Sequence, residues 1–212
     1  MNHRAKRMYE QQLKDIKEIR SMMEQSSKFL SLSGLSGIWA GFVALLGAYF
    51  AYSYLEAEGL YGALGGRLSP NSDQLTALLG IALAILVGAI GVATFFSYRK
   101  AKQKNLPFWN QVAKRLIVAL IVPIFCGAVL SFQLALHGAG GFVPATMLIF
   151  YGLAHLNASK YTLTEISYLG YSEIVLGLVS CFFLGYGFFF WVIGFGFFHI
   201  IYGILMYFKY ER

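Results

Sequence analysis

Four long stretches of this chain contain no charged residue, and their lengths predict its helices. They cover residues 29–55, 74–98, 116–159 and 174–208. A helix that crosses a membrane needs roughly 20 apolar residues. The first two runs therefore hold one helix each, whereas the third is about twice that length and holds two, with the break at the glycine-rich residues 137–141.

The last run is too long for one helix. At about 1.5 Å per residue it would reach about 52 Å, well beyond a hydrocarbon core of about 30 Å. Two helices need about 40 residues, so the first begins before Ile174 and carries Glu173 into the membrane, and Gly185 and Gly187 supply the turn. The sequence predicts an all-α bundle of six spans, at residues 30–54, 74–97, 114–136, 142–158, 165–185 and 188–208.

The distribution of positive charge predicts the orientation of these spans. The chain has 17 Lys and Arg residues, and all of them except Arg67 fall on one side of this topology. Because short loops rich in Lys and Arg stay in the cytoplasm, both termini are predicted to be cytoplasmic in a multi-pass protein of the cytoplasmic (inner) membrane. The composition agrees, since only 13% of the residues are charged.

Residues 1–28 form a separate charged segment ahead of the first span. Apolar residues recur there at steps of three and four, at Tyr9, Leu13, Ile16, Ile19 and Met23. This pattern predicts an amphipathic cytoplasmic helix, which either docks on the bundle or the membrane surface or serves as a handle for a partner. The predicted organisation is this helix followed by a single domain, the bundle of residues 29–212.

Small residues line one face of several predicted spans. The first span carries glycine or alanine at every third or fourth position, and the second and sixth repeat the device. In lipid, helices associate through close backbone packing, so such faces predict interfaces within a tight bundle or a homo-oligomer. The residues predicted to pack helices together are Gly37, Gly41, Ala44, Gly80, Gly88, Gly196 and Gly203.

Two ionisable residues lie on similar faces and are the candidates for chemistry. Glu173 lies roughly 10 Å and His199 roughly 13 Å from the cytoplasmic side of their spans. Charge at the centre of a span costs about 2.5 to 3.5 kcal/mol, so the pair, with His155, is a candidate proton or ion site; the alternative is a purely structural role. Possible polar neighbours are Tyr151, Asn157 and Gln133. The histidines form no metal signature.

The loop after the second span is strongly basic. Arg99, Lys100, Lys102 and Lys104 follow one another closely, and no acidic residue occurs between Asp73 and Glu165. These cations either attract anionic lipid, at about 1 kcal/mol each, or simply set the orientation. Nucleic-acid binding is not expected, because any membrane protein of this topology carries such a loop.

Two further features follow from local rules. Pro123 lies within the third span and frees the carbonyl of Ala119, which a neighbouring group has to satisfy. Thr162 and Glu165 fit a capping box at the start of the fifth span, which predicts a structural role for Glu165.

The motifs of common enzymes do not occur in the sequence. HExxH, CxxC, GxSxG and the P-loop are missing, so the chain is predicted to be a non-enzyme without a cofactor. The function hypothesis is a helix-packing scaffold, regulatory or partner-binding module that contacts a membrane partner or a second copy of itself. The competing hypothesis is a small channel or proton-coupled transporter that uses Glu173 and His199.

The segment YGLAHLNASKYTLTEI, followed by HIIYGILMYFKYER, resembles uncharacterised bacterial six-helix integral membrane proteins. The resemblance runs along most of the chain. It implies the architecture and carries no activity.

Overall fold

The computed structural model describes residues 8, 11–13, 15–16, 29, 32–59, 71–105 and 107–212. Within these residues the protein is helical and contains no strand. The main helices are α1 (Gly34–Ala57), α2 (Ser72–Gln103), α3 (Gln111–Leu136), α4 (Val143–Ala158) and α5 (Ile166–Ser180). The predicted N-terminal helix lies almost wholly outside the described residues.

The C-terminal part of the chain forms one long helix whose central segment is π-helical. Helix α6 (Gly187–Trp191) continues into a π-helical segment (Val192–Phe198) and then into α7 (His199–Tyr210). These three are together called the last helix. Short 3-10 turns, Gly140–Phe142 and Leu184–Tyr186, precede α4 and α6, which confirms both breaks predicted from the glycines.

Among the described residues, five helical segments are long and apolar enough to cross a membrane, as expected of a membrane-embedded protein. They are Gly34–Ala57, Ser72–Gln103, Gln111–Leu136, Gly140–Ala158 and Leu184–Tyr210. Helix α5 is apolar but has 15 residues, fewer than the roughly 20 of a full span. The predicted fifth span is shortened because the chain leaves the helix after Ser180 and uses residues 181–186 for its connection to the last helix.

The capping box predicted at Thr162 and Glu165 is wrong. Helix α5 begins at Ile166, so Thr162 lies too far upstream to cap it, and its hydroxyl donates instead to the carbonyl of Phe29 at 2.7 Å. The Glu165 carboxylate accepts hydrogen bonds from Lys209 at 2.5 Å and Tyr210 at 2.6 Å.

Helix α1 packs backbone to backbone against the last helix. A methyl group on Gly203 would lie 2.5 Å from the nitrogen of Ile38 and 2.7 Å from the carbonyl oxygen of Gly34. One on Gly41 would lie 2.7 Å from the carbonyl oxygen of Gly196. Only glycine permits this approach, and Gly37, Gly41, Gly196 and Gly203 of the residues predicted to pack helices together lie in this contact. Ala44 is buried.

Helices α4 and α5 meet just as closely. A methyl group on Gly152 would lie 2.6 Å from the carbonyl oxygen of Gly170, and one on Gly177 would lie 3.0 Å from that of Ala145. Helix α3 packs on the other side of α4. The glycine contacts therefore press the inward face of α5, which carries Glu173, against α4.

Pro123 breaks the hydrogen bonding of α3, and a neighbouring helix repairs it. A proline has no N–H to offer the carbonyl four residues earlier, and the side-chain amide of Asn157 on α4 donates to that carbonyl, Ala119 O, at 3.1 Å. The predicted need for a neighbouring donor is confirmed, and Asn157 is the residue that meets it.

Replacing Asn157 with Leu is expected to destabilise the bundle by about 1 kcal/mol, because it leaves the Ala119 carbonyl without a donor. Pro123→Ala restores an N–H at the required position, so the same change should cost less than half as much in that background. The free energy of unfolding, measured by SDS titration in mixed micelles, checks both values. Equal costs in the two backgrounds would contradict this assignment of the bond.

Glu211, just after the last helix, joins three helices. Its carboxylate accepts from the N–H of Gly34 at 2.6 Å and the hydroxyl of Ser33 at 3.1 Å, and so caps the start of α1. Lys100 of α2 pairs with the same carboxylate at 3.1 Å and donates to the carbonyl of Leu32 at 2.6 Å. We call this group the Glu211 clamp. Lys100 is 5% exposed, in contrast to its predicted place in a lipid-facing cluster.

Helix α2 is a peripheral helix, joined to α1 along its length and to the Glu211 clamp at its end. It packs on α1, where a methyl group on Gly88 would lie 3.1 Å from the Val43 side chain. The adjoining face, which carries Gly80, Ala84 and Gly91, is exposed. A methyl group on Gly80 or Gly91 would meet nothing within 4 Å, so the described chain offers this face no neighbour.

Candidate functional site

Four polar side chains from three helices converge in the interior. Helix α4 contributes Tyr151 and His155 one turn apart, α5 contributes Glu173, and α7 begins with His199. Glu173 is 0% exposed, and both histidines are 6% exposed. We call this group the Glu173 cluster.

The Glu173 carboxyl group lies between the two histidines. Its Oε2 is 2.8 Å from Nδ1 of His155, a hydrogen bond, and its Oε1 is 3.7 Å from Nδ1 of His199, which is beyond hydrogen-bonding distance. Among the described residues Oε1 is fully buried without a hydrogen-bond partner. One carboxyl oxygen of Glu173 thus has a hydrogen-bond partner, and the other has none among the described residues.

The hydrogen bonds of His199 fix the state of its ring. Its Nδ1 is 3.0 Å from the carbonyl oxygen of Gly194, and its Nε2 is 3.1 Å from the hydroxyl of Tyr151. A carbonyl only accepts, so Nδ1 carries the hydrogen. In the neutral ring, which suits a membrane interior, Nε2 accepts the Tyr151 O–H.

The bond between His155 and Glu173 needs one proton, which either group can hold. A neutral acid donates Oε2–H to Nδ1 of His155; an ionised one accepts from an Nδ1–H. The first form leaves the cluster without net charge and leaves only an uncharged oxygen unpaired at Oε1. Because an unpaired buried charge is far more costly than an unpaired neutral oxygen, the neutral acid suits this geometry.

Aromatic rings enclose the cluster on the side of the last helix. The ring of Phe195 stacks on those of Trp191, at 4.8 Å between centroids, and His199, at 6.2 Å. Tyr151 lies 4.8 Å from Phe195 and 4.3 Å from His155. Phe195 and Gly194 belong to the π-helical segment, and such segments occur frequently at functional sites.

The structure brings together Glu173, His155, His199 and Tyr151 of the predicted residues and separates the others. Asn157 serves the Ala119 carbonyl instead, and Gln133 is exposed near the far end of α3. Within the described part of the chain, no group of three or more His, Cys, Asp and Glu residues is arranged to hold a metal ion.

One contributor to the Glu173 cluster and one to the Glu211 clamp were not expected from the sequence. The carbonyl of Gly194 is a partner of His199 because the helix widens there; the pair Gly194 and Gly196, which lowers the resistance of a helix to widening, was the available signal. Glu211 gave no signal, since nothing local relates it to the start of α1.

The fold and the cluster define a class: an all-helical protein with several helices able to cross a membrane and a buried carboxyl–imidazole site between them. No family model matches this chain, and neither a curated protein nor a solved structure matches it.

Proposed function

We propose that this chain is a non-enzymatic membrane module that acts by packing against a transmembrane helix of a partner. It has six spans, α5 together with its flanking residues being one of them, and both ends lie on the cytoplasmic side of a bacterial inner membrane. The observation that carries the proposal is the exposed small-residue face of α2, formed by Gly80, Ala84 and Gly91.

The molecule itself illustrates what such a face does. Where small residues line α1 and the last helix, the two backbones approach until a single methyl group would collide. The α2 face also keeps its small residues on one side of the helix, is uncharged, and borders the side that packs on α1. The proposed occupant of this face is an apolar helix. Helix α2 of a second copy meets that description, because a two-fold arrangement brings the same small-residue face together from both copies.

Gly80→Leu with Gly91→Leu is expected to abolish self-association, because two bulky side chains fill the surface that has to meet the partner. Oligomeric mass in lipid nanodiscs and in detergent, by native mass spectrometry, is the measurement, and we expect at least a tenfold loss of dimer affinity. The matched control is Leu79→Phe with Leu86→Phe, which adds bulk to exposed positions beside that face. A wild-type protein that is a strict monomer, or a variant that still dimerises, would contradict the proposal.

The cations that continue α2 suit a second contact. Arg99, Lys102 and Lys104 are exposed, and each basic residue close to an anionic membrane surface contributes about 1 kcal/mol. Lys100 has no part in this contact, since the Glu211 clamp occupies it. Anionic lipid is thus a proposed partner at three of the four positions.

The Glu173 cluster favours a second candidate function, a small channel or a proton-coupled transporter. An intramembrane carboxyl group is a candidate for proton handling by default, and this one has two imidazoles as neighbours. Glu173→Gln is then expected to abolish proton-linked flux in proteoliposomes, while Glu165→Gln, outside the cluster, retains it. Unchanged flux in Glu173→Gln would remove Glu173 from any such pathway.

A further inference from the structure

The Oε1 atom of Glu173 and the hydrogen bond from His199 to Gly194 are connected, because Oε1 and the Gly194 carbonyl oxygen are both acceptors near the same Nδ1–H of His199. Among the described residues, the Nδ1–H of His199 has two acceptors nearby: the carbonyl oxygen of Gly194 at 3.0 Å, which it uses, and Glu173 Oε1 at 3.7 Å, which has no hydrogen-bond partner. A movement of about 0.9 Å would bring Nδ1 and Oε1 to the length of a charge-assisted bond.

The charge on Glu173 decides between these acceptors. A neutral carboxylic acid offers Oε1 as an ordinary carbonyl oxygen, no better than that of Gly194. An ionised carboxylate offers a hydrogen bond about twice as strong, and a buried carboxylate with one oxygen unpaired would be costly. Ionisation of Glu173 therefore draws the His199 N–H away from Gly194.

We propose that Glu173 and His155 bind one exchangeable proton, and that His199 responds to its loss by moving its Nδ1–H from the Gly194 carbonyl to Glu173 Oε1. The inference deepens the second candidate function and rests on it for the role of the cluster, but it requires no flux. It is independent of the partner-binding face on α2.

In this change the cluster loses one proton. In the loaded state Glu173 Oε2–H donates to Nδ1 of His155, whose own hydrogen is on Nε2. On release, the Oε2 proton passes to Nδ1 while Nε2 gives its proton to water, so His155 stays neutral in its other tautomer. The remaining carboxylate then accepts Nδ1–H bonds from both histidines, and one proton has left.

Among the described residues, three other titratable groups face Glu173. Tyr151 and His155 face it from α4 and His199 from the last helix. Tyr202 is also on the last helix, but its electrostatic neighbours are Glu165 and Tyr210. The response of His199 therefore follows the proton on Glu173 and not a distant ion pair.

Departure of His199 frees a carbonyl inside the π-helical segment. Gly194 O then lacks the side-chain bond at the widest part of the last helix, where Gly194 itself packs on Leu148 and Leu176. Proton loss is thus transmitted to the contact between the last helix and helices α4 and α5.

The test uses the full-length protein in lipid nanodiscs, labelled with nitrogen-15 on histidine. Infrared spectra across a pH titration follow the C=O band of a protonated carboxyl group, and nuclear magnetic resonance follows the His199 imidazole nitrogens. The expected result is a band that disappears on raising the pH, with a change of the His199 Nδ1 signal at the same midpoint. Glu173→Gln should remove the band and make the His199 signal independent of pH over that range, whereas Glu165→Gln should leave both unchanged.

Two results would overturn the inference: a carboxyl band identical in wild type and Glu173→Gln, or a His199 signal that stays constant while the Glu173 band disappears. The coincidence of the two midpoints is measured on the wild type, so it decides the question even where Glu173→Gln fails to fold. Titration without flux would remove the transport candidate alone, and flux without titration would remove this inference alone.

Discussion

Gly203→Ala is expected to destabilise the bundle by about 2 to 3 kcal/mol, although alanine is the better helix former. The added methyl group would lie 2.5 Å from the nitrogen of Ile38 and 2.7 Å from the oxygen of Gly34. Both are backbone atoms of α1, so no rotamer change can relieve the collision, and the two helices have to separate. The free energy of unfolding from SDS titration, followed by tryptophan fluorescence, gives the measurement.

The control for this variant is Gly91→Ala on α2. A methyl group there meets nothing within 4 Å, so the change should leave the stability of the monomer unaltered or raise it by up to about 1 kcal/mol through helix propensity. The contrast isolates packing from propensity, because both variants make the same chemical change within a helix. Equal effects at the two positions would show that α1 and the last helix do not meet as described.

Glu211→Ala is expected to cost about 3 to 5 kcal/mol, the range for removing one partner of a buried ion pair. The side chain of Lys100 is 6% exposed and that of Glu211 is 13% exposed. Without the carboxylate, Lys100 retains the carbonyl of Leu32 as its one acceptor among the described residues, and the N–H of Gly34 loses its acceptor. SDS titration again measures the loss, and Arg212→Ala, a neighbouring change outside the clamp, should stay within about 0.5 kcal/mol of wild type.

A double variant tests whether Lys100 and Glu211 interact directly. Lys100→Met removes the charge that Glu211→Ala leaves unpaired, so the double variant should be less unstable than the sum of the single changes by at least about 1 kcal/mol. Strict additivity would mean that Lys100 and Glu211 do not interact. A Glu211→Ala protein as stable as wild type would contradict the clamp as a whole.

The length and composition of the last uncharged run were sufficient to place Glu173 within a helix. Because the run after Glu173 was too long for one helix and too short for two, the glutamate had to be inside a helix, and it is 0% exposed in α5. Steps of three and four between small residues predicted that α1 and the last helix each carry a packing face, and the structure adds that these two faces meet. Proline chemistry likewise required a donor for Ala119, although it did not say that Asn157 supplies it.

Features that depend on distant partners were beyond the sequence. The capping rule for Thr162 and Glu165 is local, and it failed because Phe29, Lys209 and Tyr210 compete for these side chains. The basic pattern around Lys100 looked uniform, yet one of its members points inward to a carboxylate 111 positions away. The π-helical segment was not predicted either: Gly194 and Gly196 permit a wider helix, but the regular spacing of apolar residues does not encode one.

The Glu211 clamp imposes an order on biosynthesis. Ser33 and Glu211 are 178 positions apart, so at about 5 to 20 residues per second a ribosome takes about 10 to 35 s to supply the acceptor for the start of α1. Throughout that interval the glycine groove of α1 lacks the last helix, which fills it in the folded protein. Helices α4 and α5, which are close in the chain, are free to pair at once, and α1 is completed last.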